Sequence, residues 1–271
     1  MAGPLSAHYA QFVRERVAAW QAAPDMDDLN DLLRALGRWR SKALVQTFLS
    51  HAGPRIAAGP FAGMEYVTEA AEGALMPRLL GAYEAELHPY LHAIAAEGPE
   101  CVIDVGCAEG YYAVGLARLM PQVTVYAFDI DPRARAACAD LAARNGVSER
   151  VVVGGEFPPT GFQAFAGARA LVMVDAEGAE VEILQPALSP ALEGMTIIVE
   201  THDLYRPGAL ALLTERFSPT HRIVRVDHRL RDVELPGWLR ELPPLDQLLA
   251  VWEWRAAPTP WLVMHPRGGA G

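Results

Sequence analysis

The sequence predicts an α/β fold: a doubly wound, seven-stranded, Rossmann-like sheet with an N-terminal helical extension. Three observations carry this. From about residue 100, short runs of branched apolar residues alternate with stretches of helical periodicity. The first run, Val102-Ile103-Asp104-Val105, passes through a bend of small residues at Gly106, Ala108 and Gly110 straight into a helical pattern with Tyr112, Leu116 and Leu119 three or four apart. Several later runs end on an acid, and an open α/β sheet gathers such groups at the carboxyl ends of its strands.

Each element has its own signal. In the N-terminal region Tyr9, Phe12, Val13, Val17 and Trp20 recur at helical spacing. Asp25 to Asp28 can cap a second helix whose apolar face is Leu29, Leu32, Leu33 and Leu36. Arg38, Arg40 and Lys42 follow on its polar side and read as solvated. This extension packs either on the main domain or on a second copy, which makes a homodimer through the N-terminal helices an expectation. Gly59-Pro60-Phe61-Ala62-Gly63-Met64-Glu65-Tyr66 breaks the helices with large apolar side chains, so it either docks in a core or covers a ligand. Gly73 to Leu87 reads as one amphipathic helix, on which Tyr83 and Glu84 point apart, so at most one faces a ligand cleft. The boundary falls near Pro99, giving units 1–98 and 99–271.

The expected strands are Val102–Val105, Val123–Phe128, Val151–Val153, Ala170–Val174, Thr196–Val199, His221–Val226 and Trp261–Met264. Helices are expected from Arg133 to the helix-ending pair Asn145-Gly146, through Leu184, and from about Gly208 to Phe217. Asp131 before Pro132 reads as a helix cap. An insertion rich in Pro, Leu and Trp occupies 230–258.

Composition narrows the function classes. The chain has 271 residues, half of them hydrophobic, enough for a full α/β core. Its net charge of −10 argues against nucleic acid as a partner, because phosphate binding needs a basic face. The three cysteines, Cys101, Cys107 and Cys138, form no Cys-x-x-Cys pair and so no zinc or disulfide framework. No apolar run is long enough to span a membrane and no signal peptide is visible, so no membrane partner and a cytoplasmic location are expected.

Strand, small-residue bend and helix together make a nucleotide-binding unit. A dinucleotide fingerprint needs a third glycine where Tyr111 stands, and there is no Gly-Lys-Ser/Thr of a P-loop. The pattern present is Asp-x-Gly-x-Ala-x-Gly, from Asp104 to Gly110. Asp129, about 20 residues on at the end of the second strand, is placed to accept hydrogen bonds from ribose hydroxyls. Glu156 or Phe157, beyond the third strand, borders the region where a base would lie, unless the segment is a plain surface loop. Asp175 ends the fourth strand, and Glu200-Thr201-His202-Asp203 ends the fifth.

These blocks resemble the FkbM-type class I S-adenosylmethionine-dependent methyltransferases. Asp104 to Tyr112 is similar to their first motif, and Ala127 to Pro132 to their second. Asp175-Ala-Glu177-Gly178-Ala-Glu180 and Glu200-Thr-His202 are similar to their blocks after strands four and five. The Gly59–Tyr66 segment also looks like one found upstream in some members. The likeness covers roughly residues 100 to 205; Ala108, where many relatives carry Asn, departs from it. It implies methyl transfer from S-adenosylmethionine in residues 99–271, most often to an oxygen of a natural product or sugar. It also implies cofactor contacts at Asp104, Gly106, Ala108, Gly110, Tyr112, Asp129, Ile130, Glu156 and Asp175, with His202, Asp175 and Glu200 as catalytic residues. Two mechanisms fit: His202 as general base, or a divalent ion such as Mg²⁺ held by Asp175, Glu200 and Asp203. The plainer reading of His202 is a loop-shaping hydrogen bond, and that of Glu177 and Glu180 is capping or solvating the helix after Asp175, favoured for Glu180. The small-molecule acceptor would enter between the fourth and fifth strand ends, roofed by the Phe61–Tyr66 loop and the Trp238 region. The rival readings are an NAD(P)-dependent oxidoreductase on the same sheet, against which Tyr111 and the lack of a Tyr-x-x-x-Lys pair speak, and a non-catalytic cofactor-binding scaffold.

Overall fold

The computed structural model describes residues 3–20, 23–68, 75–229 and 234–268. Gly73, Ala74 and residues 230–233 of the expected insertion lie outside them. In chain order come α1 (Pro4–Ala18), α2 (Met26–Ala52), α3 (Leu75–Leu80), α4 (His88–Glu97), β1 (Cys101–Val105), α5 (Tyr111–Leu119), β2 (Thr124–Phe128), α6 (Pro132–Arg144), β3 (Val151–Gly154), β4 (Ala170–Val174), α7 (Glu180–Ile183), β5 (Thr196–Glu200), α8 (Ala209–Phe217), β6 (His221–Val226), α9 (Gly237–Arg240), α10 (Pro244–Ala250) and β7 (Trp261–Pro266).

All seven expected strands form one mixed sheet in the order β3-β2-β1-β4-β5-β7-β6. β1 pairs in parallel with β2 on one side and β4 on the other, so chain order reverses there and leaves a crevice beyond the strand ends. Only β7 runs antiparallel, between β5 and β6. β1 and β4 are buried along their whole length, which is why they read as continuous apolar runs; the edge strands β3 and β6 are only partly buried.

Two apolar layers cover the sheet. Ile103, Val172, Ile197 and Met264 face Phe162, Leu213 and Phe217 on one side. Val102, Leu171, Ile198 and Val263 face Leu116 and Leu141 on the other, and Phe48, Ile56, Met64, Met76 and Leu91 belong to that same cluster. The Phe61–Tyr66 segment therefore docks in the core and does not roof a ligand. A Cβ on Gly115 would strike the Phe61 ring, and Phe61, Met64 and Tyr66 are buried. Trp238 stacks on His51 of α2.

The stretch expected as a helix through Leu87 is helical only to Leu80. Gly81 turns at φ 73° against the backbone of Ala58, and Glu84 takes φ 49°, so the chain folds back there. α2 starts as expected, with a reciprocal cap between Asp25 and Asp28. It is tied to α10 by a two-pronged Arg40–Asp246 pair with both contacts at 2.6 Å. α1 has no buried residue. No described helix is long and apolar enough to cross a membrane.

Candidate active site

The bend after β1 is shaped first by the protein's own backbone. Gly106 lies at φ 90°, and a Cβ there would overlap the Asp175 carbonyl, so the β1 and β4 loops meet directly across the switch point. The amides of Gly106 and Cys107 both donate to the Phe128 carbonyl, at 2.8 and 3.0 Å. Ala108 sits at φ 46°, and its amide donates to Asp129 at 2.9 Å, while the other Asp129 oxygen accepts the Asp131 amide at 2.8 Å. Asp129 thus binds the bend to the start of α6, where Asp131 is the cap.

The bend and α5 wall a small cleft together with Arg78, Tyr83, Asp104, Glu109, Tyr111, Tyr112 and Asp175. Both Tyr83 and Tyr112 face it, and Glu84 accepts a hydrogen bond from the Tyr112 hydroxyl. Asp104 is 2% exposed, and burial first, then the charge of Asp129, pushes its carboxyl up to about 7 against the pull of the Ala113 amide. Its Oδ2 has no hydrogen-bond partner, nor has Oε2 of buried Glu109. The other Glu109 oxygen is held by Arg78 at 2.6 Å and by the Tyr66 hydroxyl at 2.5 Å. The Arg78 guanidinium lies 4.4 Å from the centre of the Tyr83 ring. Sequence reasoning missed Arg78 and Glu109. The signal available was a glutamate placed inside a bend of otherwise small or apolar residues.

Beyond the cleft, the ends of β4 and β5 form a second pole. His202 is buried, and its Nδ1 lies 2.6 Å from Glu180, which also accepts the Gly178 amide. Glu180 is fully buried, so it is not solvated: it accepts the Gly178 amide just ahead of α7 and at the same time turns inward against the imidazole. His202 Nε2 faces Glu200 at 3.5 Å, Asp175 at 3.6 Å and Glu177 at 3.6 Å. Burial alone would lower the imidazole; the Glu180 bond and the Glu200 charge outweigh it and hold it above the ordinary histidine value. Burial and the charges of Glu200 and Glu84 push Asp175 well above the usual carboxylate range.

Asp203 does not join this pole. Its two oxygens accept the amides of Gly208 and Leu210 at 3.0 and 3.2 Å, at the start of α8. The acid and imidazole groups that do converge are Asp175, Glu200 and His202. Ile130 and Glu156 are exposed beyond β2 and β3, whereas Phe157 is buried between Phe128 and Phe162.

A third group, also unforeseen, backs the pole. Arg255 reaches Glu84 at 2.7 Å, Glu253 at 3.0 Å, and Glu200 and Thr259. Glu84 is pushed up to about 8 by burial and by Glu200, against the pull of Arg255. Among the described residues four non-glycine residues have a left-handed backbone, and three of them, Glu84, Ala108 and Glu177, stand around this cleft and pole. Such strain persists only where the surroundings enforce it, and it gathers at functional sites.

No family model matches the chain. A 59-residue stretch is 39% identical to the ribosomal protein L11 methyltransferases of Brucella suis and Brucella abortus, covering 22% of this chain and 20% of theirs. The match thus spans about a fifth of the length of those relatives. Among solved structures, the O-methyltransferase TomG of Streptomyces achromogenes, in complex with S-adenosylmethionine, is 14% identical over 67% of this chain and 81% of its own, with a TM-score of 0.45. An S-adenosylmethionine-dependent O-methyltransferase of Thermotoga maritima is 14% identical over 67% of each chain, with a TM-score of 0.47. An O-methyltransferase of Bacillus cereus bound to S-adenosylhomocysteine is 10% identical over 84% of this chain and 90% of its own, with a TM-score of 0.46. At these identities and TM-scores none of the solved structures transfers a substrate or a residue role.

Proposed function

We propose that this chain is an S-adenosylmethionine-dependent methyltransferase acting on a hydroxyl of a small molecule, of the FkbM type. The observation that carries the reading is the charge of the cleft beside the β1 bend. Asp104, Glu109 and Asp175 line it and Asp129 stands behind Ala108, against one cation, Arg78. A pyrophosphate would bring negative charge into a carboxylate-walled, half-buried space, so a dinucleotide is a poor occupant. A ligand with an ammonium and a sulfonium is a good one. The two orphaned oxygens, on Asp104 and Glu109, are the acceptors such a ligand needs.

Asp104 and Glu109 would take the ammonium, Arg78 the carboxylate, and Asp129 the ribose hydroxyls with the oxygen lone pairs its amide bonds leave over. Gly106, Ala108 and Gly110 keep the bend low, Tyr112 and Asp175 line the methyl side, and Ile130 and Glu156 flank the base. The cofactor supplies an activated methyl group; its carbon–sulfur electron pair stays on sulfur as the new carbon–oxygen bond forms. The chain's part is alignment of the acceptor and removal of one proton from its hydroxyl. Asp175, Glu200 and His202 would serve that end, directly or through an ion they hold: they converge at the ends of β4 and β5, and Asp175 also lines the cleft.

Calorimetric titration with S-adenosylhomocysteine tests the reading. One site of micromolar affinity, lost on Asp104→Ala and weakened on Asp129→Ala, is expected, with no binding of NADH. Absence of such a site, or preferential binding of NADH, overturns it.

A further inference from the structure

The pole at the ends of β4 and β5 is built around one imidazole nitrogen. His202 is 4% exposed; Glu180 takes its Nδ1 side, and its Nε2 faces Glu200 Oε2 at 3.5 Å, Asp175 Oδ1 at 3.6 Å and Glu177 Oε2 at 3.6 Å. Those separations are long for hydrogen bonds. They are the right size for neighbouring ligands of one small ion: with bonds of about 2.1 Å, the edge of a coordination tetrahedron is about 3.4 Å.

Two further observations point the same way. Nδ1 lies 2.6 Å from Glu180, itself fully buried and anchored by the Gly178 amide. When Nδ1 carries the proton, this pairing turns the Nε2 lone pair toward the three carboxylates, as the outer carboxylate does behind a metal-bound histidine. Asp175 Oδ1, one of the three facing oxygens, is a buried atom with no hydrogen-bond partner. The left-handed backbone at Glu177, φ 48°, holds the loop that carries the outermost carboxylate.

We infer that Asp175, Glu200 and His202 form a divalent metal site, closed on its solvent side by Glu177 and oriented from behind by Glu180. The donor set narrows the ion. Mg²⁺ favours all-oxygen shells and keeps its waters, whereas an imidazole with carboxylates suits a first-row transition ion such as Mn²⁺, Fe²⁺ or Zn²⁺. Asp203, the third ligand expected from sequence, is replaced by His202 because its own oxygens cap α8. The ion's use in the reaction rests on the methyl-transfer reading: it would hold the acceptor's hydroxyl oxygen and ease loss of its proton to solvent. Ion binding itself does not rest on that reading.

The test uses the full chain, stripped with chelator and desalted, titrated with Mn²⁺ without cofactor. Free ion is read from its electron paramagnetic resonance signal. One Mn²⁺ per chain in the micromolar range is expected. Asp175→Asn and His202→Gln each weaken it at least about tenfold, and Glu180→Gln weakens it by about ten- to a hundredfold. Glu177→Gln, at an exposed position that leaves the packing intact, weakens it a few-fold, so the test survives if the His202 variant does not fold. Asp203→Asn leaves it unchanged. No saturable Mn²⁺ site, or binding unmoved by Asp175→Asn and Glu177→Gln in folded protein, overturns the inference. Failure of the methyl-transfer reading shows differently: Mn²⁺ binds and S-adenosylhomocysteine does not.

Discussion

Replacing Asp104 by Asn should stabilise this protein while destroying its cofactor site. The Asp104 carboxyl is 2% exposed and titrates at about 7, because burial and then Asp129 disfavour its charge. In the unfolded chain it titrates near about 3.9. A raised folded-state value means that the stability Asp104 contributes is full below about pH 4 and is lost as pH rises through about 7. Three units at about 1.36 kcal/mol each put the cost of the ionised carboxylate near pH 8 at up to about 4 kcal/mol. Asn removes the charge and keeps an oxygen for the Ala113 amide. The variant's midpoint should therefore rise near pH 8, by roughly 2–4 °C for each kcal/mol recovered. Near pH 4.5 the gain should shrink to about 1 kcal/mol or less. Urea and thermal unfolding at the two pH values, followed by tryptophan fluorescence, read this directly. Titration with S-adenosylhomocysteine on the same variant should show binding lost. A variant less stable than the parent near pH 8, or equally stabilised at both pH values, would refute the picture of a buried carboxylate kept for a cationic ligand.

Four more outcomes follow from particular positions. Arg78→Met leaves Glu109 buried without its cation, on the Tyr66 hydroxyl alone, and should cost about 3–5 kcal/mol in unfolding free energy; adding Glu109→Met should recover most of that, as a double-mutant cycle would show. Gly106→Ala should lower the thermal midpoint drastically or prevent folding, since its Cβ would collide with the Asp175 carbonyl at a φ of 90°. Gly155→Ala, with open space around it, should leave the midpoint within about 0.5 kcal/mol of the parent's. Asp246 is held below the usual carboxylate range by its hydrogen bonds to Arg40, so the stability of the α2–α10 junction is present above about pH 4 and lost as pH falls below it. Arg40→Gln should remove that acid-labile component from a pH series of unfolding midpoints.

What the sequence by itself determined is whatever depends on neighbours along the chain. Apolar runs, the Gly106–Gly110 bend and acids ending the runs are local signals, and the seven strands and the positions of Asp104, Asp129, Asp175 and Glu200 followed from them. Tertiary structure decided which partner each charge found. Glu109 meets Arg78 from 31 residues away, and Glu84 meets Arg255 from 171 away. Asp203 and His202 are adjacent in sequence, yet one caps α8 and the other turns into the carboxylates; Glu180, read only as capping or solvating its helix, also supports the imidazole. The physical reason is that periodicity and turn chemistry act over a few residues, whereas burying a charge requires a partner that only packing of distant segments can bring.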